Sequence, residues 1–372
     1  MTLSFSLLAT DGAARRGRLE TPHGTIETPA FMPVGTLGAV KGLTPDALES
    51  LGASIMLANL YHLTLRPGIE VIESLGGLHA WNGWSRPILT DSGGFQVWSL
   101  AGRRKLTAAG VTFRSHVDGA LVTFTPESVV DSQRRLGVDI AMVLDECPAW
   151  PVPEEEAAAS LDRTVAWARR ARERWAAAPG PGGLFGILQG SSFPCQRARA
   201  AELLTALDFD GYAIGGVSVG EPEAERRETV AFTAPLLPAL KPRYLMGVGT
   251  PQDILHAVLS GVDLFDCVLP ARNARHSLLF TSEGLLRLKN ARYRTDPAPP
   301  DPACSCPTCR RVSRAFLAHL LRCGEITGQV LATVHNLAFY LDFMGRLRQA
   351  SASGTLAEFA ARAATQLSEP PA

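Results

Sequence analysis

Short apolar runs that end in a small or polar residue recur along the chain: Phe31–Gly35, Ile55–Asn59, Ile88–Asp91, Ile140–Asp145, Leu184–Gln189, Tyr212–Gly215, Tyr244–Gly247 and Leu264–Val268. Each is continuous rather than alternating, as expected of strands buried on both faces of a parallel sheet. Helix start signals lie between them. Thr44-Pro45-Asp46, Thr125-Pro126-Glu127 and Thr250-Pro251-Gln252-Asp253 each set a capping hydroxyl before a first-turn proline. Thr250 and Asp253 also have capping-box spacing, and Gly261 ends that helix just before the next strand. Strands alternating with helices imply right-handed parallel crossovers. Eight of them predict an α/β fold, a closed (β/α)8 TIM barrel over residues 28–270. Periodicity does not show closure, so an open doubly wound sheet is the alternative.

Two stretches break this rhythm. Val111–Phe124 alternates and turns at Asp118-Gly119, which predicts an antiparallel β-hairpin inserted after the third strand. Residues 271–345 carry a cysteine cluster and a long helical region, a subdomain expected to pack on the barrel within one catalytic unit of residues 1–372. The Ala/Glu/Arg-rich stretch 153–178 reads as an amphipathic helix.

Composition narrows the class. At 372 residues and 46% hydrophobic, the chain can bury a large core. Its 36 basic residues balance its 36 acidic ones, so a nucleic-acid partner requires a local basic patch. The opening Met1–Leu8 lacks a basic region before its apolar run, and no uncharged stretch reaches membrane-spanning length. Seven cysteines, three of them crowded into Cys304–Cys309, suit a metal site in a reducing compartment, which predicts the cytoplasm.

Active sites of such barrels sit at the C-terminal ends of the strands. That rule selects Asp91, Asp145, Gln189 and Asp266. Any one of these acids could merely cap the following helix; four polar groups on one rim point to a site. Glycine turns follow several of the same ends, at Gly93-Gly94, Gly190, Gly215-Gly216 and Gly247-x-Gly249. They let backbone amides approach a ligand, either a phosphate or the edge of a planar base. None fits a Walker or dinucleotide pattern.

Cys304-x-Cys306-x-x-Cys309 with His335 supplies three thiolates and one imidazole, a complete tetrahedral set for a structural zinc. His319 is the other downstream histidine. Between Arg272 and Arg322 stand ten Lys or Arg, against only Glu283, Asp296 and Asp301. This stretch is the candidate phosphate-tracking patch.

Together these blocks identify a family. Leu89-Thr90-Asp91-Ser92-Gly93-Gly94-Phe95-Gln96-Val97 resembles the base-pocket strand of bacterial tRNA-guanine transglycosylases. So do Gly211–Gly216, Tyr244–Gly249 and Phe265–Pro270, and the cysteine cluster with His335-Asn336 completes the pattern over roughly residues 4–348. The resemblance implies exchange of guanine at wobble position 34 of GUN-anticodon tRNAs (those for Asp, Asn, His and Tyr) for 7-aminomethyl-7-deazaguanine, preQ1, in queuosine biosynthesis. It makes Asp266 the nucleophile on the ribose and Asp91 the general acid/base. Asp266 also leads into Pro270-Ala271-Arg272, the loop expected to grip the RNA backbone, which favours the same assignment. Ser92, Asp145, Gln189, Gly215, Gly216 and Val217 would line the base site, with Phe95 and Met246 sandwiching the ring. Arg272 and Arg275 would hold neighbouring nucleotides, and Cys147 and Val219 match the pattern that favours preQ1 over the bulkier queuine. A homodimer is the implied assembly.

Three departures stand out: Ala271 where relatives often have Thr, His276-Ser277 where many have Asn-Gly, and Phe95 where some have Tyr. A catalytically dead partner subunit would lack a key aspartate, and both are present. A barrel glycosidase would carry aromatic sugar platforms, and a zinc hydrolase an open metal site.

Overall fold

All eight apolar runs become strands of one closed parallel barrel in the computed structural model, which describes residues 3–96 and 104–367. Three strands precede the barrel: β1 (Ser4–Asp11), β2 (Ala14–Thr21) and β3 (Gly24–Thr28) form an antiparallel sheet. The barrel then runs β4 (Ala30–Gly35), β5 (Met56–Asn59), β6 (Ile88–Asp91), β10 (Ile140–Met142), β11 (Gly183–Leu188), β12 (Gly211–Ile214), β13 (Arg243–Leu245) and β14 (Leu264–Cys267). β14 pairs with β4, setting Phe265 opposite Phe31, and β6 pairs with β10, setting Leu89 opposite Ile140. These contacts close the ring and exclude the open sheet.

Every residue of β5, β10, β11, β12 and β13 is buried, which is why their apolar runs do not alternate. Gly211 is required by close approach, since a β-carbon there would meet the Phe185 ring at 2.3 Å. The Ile140–Asp145 run leaves the ladder after Met142, which carries Asp145 off the strand end toward the barrel mouth.

The three threonine caps form. Thr125 and Ser128 make a reciprocal capping box at helix Pro126–Leu136. Thr44 caps Pro45–Ser50, and Thr250 Oγ1 accepts from the Asp253 amide at helix Pro251–Leu259. The Asp253 carboxylate turns to Arg226 and Arg227, at 2.9 and 3.2 Å. Residues Glu154–Ala177 form one helix that packs on β11 and on the helices Pro126–Leu136 and Pro194–Thr205.

The insertion after β6 is larger than a hairpin. β8 (Gly110–Arg114) and β9 (Leu121–Phe124) pair as expected, and β7 (Arg104–Thr107) adds a third antiparallel strand. β7 reads Arg-Lys-Leu-Thr and is mostly exposed, so it lacked an apolar signal. The N-terminal sheet was also unforeseen. It closes the floor of the barrel through polar contacts from buried aspartates at the strand starts. Asp263 pairs with Arg15 at 3.2 Å. Asp139 accepts from the Ile88 amide at 2.9 Å and from His23 Nδ1 at 3.0 Å, and meets His79 Nε2 at 3.2 Å. His79 Nε2 also faces the Arg86 carbonyl at 3.2 Å, so this nitrogen carries its proton.

Beyond β14 come β15 (Leu278–Thr281), β16 (Gly284–Arg287) and helices Pro307–Arg311, Arg314–Arg322, Ile326–Ser353 and Leu356–Leu367. A second hydrophobic core forms here, built on Ala274, Leu279, Tyr293, Leu317 and Ala332. The 326–353 helix joins it to the barrel, because Tyr340, Phe343 and Leu347 belong to the main core. Asn336 fastens the joint, accepting from the Phe280 amide and donating to the Pro270 and Leu278 carbonyls. Among the described residues, no helix is long and apolar enough to cross a membrane.

Candidate active site

The C-terminal ends of the barrel strands open into a cavity of about 530 Å³. Asp91, Asp145, Gln189 and Asp266 all line it, so the strand-end rule brings the four groups together. Ser92, Phe95, Cys147, Gly215, Gly216, Val217, Met246 and Arg272 share the same walls. Val97, from the motif around Asp91, lies outside the described residues.

The two candidate catalytic aspartates are held differently. Asp91 has both oxygens engaged: Oδ1 accepts from the Leu60 amide at 3.0 Å and Oδ2 from Asn59 Nδ2. Removal from bulk water pushes Asp91 up to about 8, with the nearby Asp266 charge adding to the rise and the Leu60 amide opposing it. Asp266 takes both its hydrogen bonds on Oδ1, from Tyr244 Oη at 2.6 Å and the Gly247 amide at 2.7 Å. Burial also raises the Asp266 pKa, and these two donors work against the rise. At neutral pH Asp91 therefore holds a proton, while Asp266 presents Oδ2 without a hydrogen bond among the described residues.

Asp145 forms the far wall. Ser92 Oγ donates to its Oδ1 at 3.2 Å and Gln189 Nε2 to its Oδ2 at 2.7 Å. Burial pushes it up to about 6. Gln189 is fully buried, and its Oε1 has no hydrogen-bond partner among the described residues. A buried acceptor left open in a cavity wall suits a ligand donor. Gly94 lies so close to Asp145 that a β-carbon there would meet Oδ1 at 2.7 Å. Phe95 is exposed and Met246 half-buried at the cavity. Cys147 is buried beside Asp145, its thiol pushed up to about 12 mainly by burial, so it stays neutral. Val219 also lines the cavity, its amide donating to Glu221 Oε2 at 2.8 Å.

Cys304, Cys306, Cys309 and His335 bring their ligand atoms within 4.8 Å of one another. Cys309 Sγ lies 3.2 Å from His335 Nδ1. The other ring nitrogen, Nε2, is 2.8 Å from the Phe280 carbonyl, which fixes its proton there and frees Nδ1 to ligate. Cys306 caps helix Pro307–Arg311, with the Cys309 amide donating to its sulfur. This donor set fits a four-coordinate divalent metal, zinc above all. His319 lies elsewhere, beside the exposed Cys323.

The basic stretch is partly self-neutralised. Arg314 pairs with Asp296 at 3.3 Å and Glu283 at 3.8 Å, and Asp301 is buried, accepting from Ser282 and Ala303. Arg272 is exposed at the cavity mouth. Arg275 is not among the lining residues and donates back to the Ala271 carbonyl at 2.8 Å. Ser277 adopts φ +65, the left-handed region that favours the glycine many resembling sequences have there.

Three contributors escaped the sequence reading. Asn59 ends β5, and the strand-end rule applied evenly would have found it. Tyr244 sits inside an apolar run where a phenol reads as core. Arg197, on helix Pro194–Thr205, is fully buried beneath Gly215-Gly216, and an arginine in a polar helix gives no sign of that.

Comparison with known proteins agrees over nearly the whole chain. The profile of the family described as Queuine tRNA-ribosyltransferase matches residues 11–369. Curated relatives named queuine tRNA-ribosyltransferase include one from Thioalkalivibrio sulfidiphilus, 54% identical over 354 residues, covering 95% of each chain. Others are from Nitrosomonas europaea, 54% identical over 358 residues (96% of each chain), and Aromatoleum aromaticum, 52% over 360 residues (97% of each).

Proposed function

This chain belongs to the queuine tRNA-ribosyltransferase family, and from that premise we propose that it exchanges guanine 34 of GUN-anticodon tRNAs for preQ1 by double displacement through Asp266. The reading makes it a pentosyltransferase of queuosine biosynthesis, acting in the cytoplasm as a homodimer. Cys304, Cys306, Cys309 and His335 would hold a structural zinc, a staple remote in role from the chemistry.

The observation that carries the reading is the asymmetry between the two aspartates. Asp266 has one oxygen without a donor, while Asp91 has both engaged and is protonated at neutral pH. In the first displacement Asp266 Oδ2 attacks C1′ of the flipped nucleotide as its bond to guanine N9 breaks. Asp91 supplies the proton that the departing purine takes up. In the second, preQ1 occupies the vacated slot and gives its N9 proton to Asp91. N9 then attacks C1′ and releases the Asp266 carboxylate. Two inversions leave the sugar configuration unchanged.

The walls suit a flat purine. Asp145 and the open Gln189 Oε1 accept from the donor groups of the base edge, the Gly216 amide faces its carbonyl, and Phe95 and Met246 cover the ring faces. The deciding experiment is radiolabelled guanine exchange into a GUN tRNA, with trapping of the intermediate. Wild type is expected to give an adduct stable on a denaturing gel, and Asp266→Asn to give none. An adduct that forms in Asp266→Asn and maps to Asp91 would reverse the roles, and no exchange at all would sink the reading.

A further inference from the structure

Arg197 is a fully buried guanidinium with no carboxylate within ion-pair distance among the described residues. Its donors go to backbone carbonyls alone. Nε reaches Ser191 O at 2.6 Å, and Nη1 reaches Gly215 O at 2.8 Å and Leu188 O at 3.2 Å. Nη2 reaches Gly216 O at 3.2 Å. Burial lowers the pKa of this side chain to about 10, which still leaves it charged at neutral pH. An ion taken out of water with no carboxylate in contact, and only the more distant Glu221 charge to support it, is costly, so the carbonyls it holds are held firmly.

Those carbonyls decide where the neighbouring amides point. In a planar trans peptide the C=O and the following N–H are antiparallel. With the Gly215 and Gly216 carbonyls drawn down onto Arg197, the Gly216 and Val217 amides face the opposite way. All three residues line the cavity. Gly216 sits at φ +64, and a β-carbon there would lie 2.4 Å from Gln189 Oε1 and 3.3 Å from Arg197 Nη2. The turn is thus wedged between the open Gln189 acceptor and the guanidinium.

We propose that Arg197 is a positioning residue for the free base: by gripping the Gly215 and Gly216 carbonyls it aims the amides of Gly216 and Val217 at the purine edge. This rests on reading the cavity as the base pocket. It separates the two substrates, because Arg197 is sealed from solvent and can touch no tRNA.

The test compares Arg197→Met, which keeps length without charge or donors, with Arg197→Lys, which keeps the charge but not the fork. Guanine KM, tRNA KM, kcat and Tm are measured for each. For Arg197→Met the guanine KM is expected to rise about 30-fold, the loss of charge-assisted hydrogen bonds. Its tRNA KM should stay within about twofold, and Arg197→Lys should fall between Met and wild type. Equal rises in both KM values, or a loss of kcat and Tm with guanine KM unchanged, would make Arg197 merely structural and overturn the proposal. Should Arg197→Met not fold, the same split in Arg197→Lys decides. A wild type that exchanges no guanine would instead remove the base-pocket reading, an outcome seen before any variant is compared.

Discussion

Tyr244 donates its hydroxyl to Asp266 Oδ1 at 2.6 Å, from the neighbouring barrel strand. Burial, and then the Asp266 charge, push the phenol well above its ordinary value, so it remains a donor throughout the neutral range. Its bond favours the ionised carboxylate. Tyr244→Phe removes that support, raises the Asp266 pKa and lowers the ionised fraction at a given pH. Guanine exchange is expected to drop about tenfold, with the acidic limb of the pH profile moved upward. An acidic limb at the wild-type position would show that the phenol does not tune the nucleophile.

Asp91 makes the opposite prediction on the alkaline side. Its proton is lost near pH 8, so exchange that needs the acid form declines as pH rises through about 8. Stability follows the same group. Its folded pKa lies above the ordinary 3.8, so the folded state holds a proton that the unfolded chain releases. Between 3.8 and about 8 that group makes folding progressively less favourable as pH rises. Asp91→Asn is expected to be inactive yet to keep a higher Tm than wild type at alkaline pH, with the difference shrinking toward pH 4. Thermal melts across that range would expose a difference that does not vary with pH.

The thiolate cluster is expected to bind about one zinc per chain. Cys309→Ser or a strong chelator should empty it and remove hydrogen-exchange protection across residues 304–335. Elemental analysis that finds active, folded protein without metal would refute the assignment.

Val219 should restrict the pocket to small bases. Val219→Gly, alone or with Cys147→Val, is expected to improve use of queuine about tenfold relative to preQ1, the scale of discrimination a hydrophobic wall supplies. Competition assays against guanine read this directly, and equal use of both bases by wild type would defeat the prediction.

Arg272 and Arg275 should separate. Arg272 is at the cavity mouth and Arg275 is tied to its own helix. Arg272→Ala is expected to raise the tRNA KM more than Arg275→Ala does, and to reduce the salt slope of tRNA binding by about one. Equal effects would place Arg275 at the RNA as well.

Local patterns carried much of this molecule. Eight apolar runs, seven of them ending in Gly, Asn, Asp or Gln, marked the barrel strands, because a strand buried on both faces is mostly apolar. The polar residues ending them marked the cavity, and three thiols in six positions marked the metal group. Other features depend on partners distant in the chain, where periodicity is silent. Ring closure came from β14 meeting β4, and the fold brings His335 to the three thiols while His319 lies beside Cys323. β7 and the N-terminal sheet are mostly polar strands whose pairing, rather than composition, makes them strands. The separation of Asp91 from Asp266 was equally hidden, since residues that end barrel strands look alike in sequence. Their difference arises when folding supplies Asn59 and Leu60 to one and Tyr244 and Gly247 to the other.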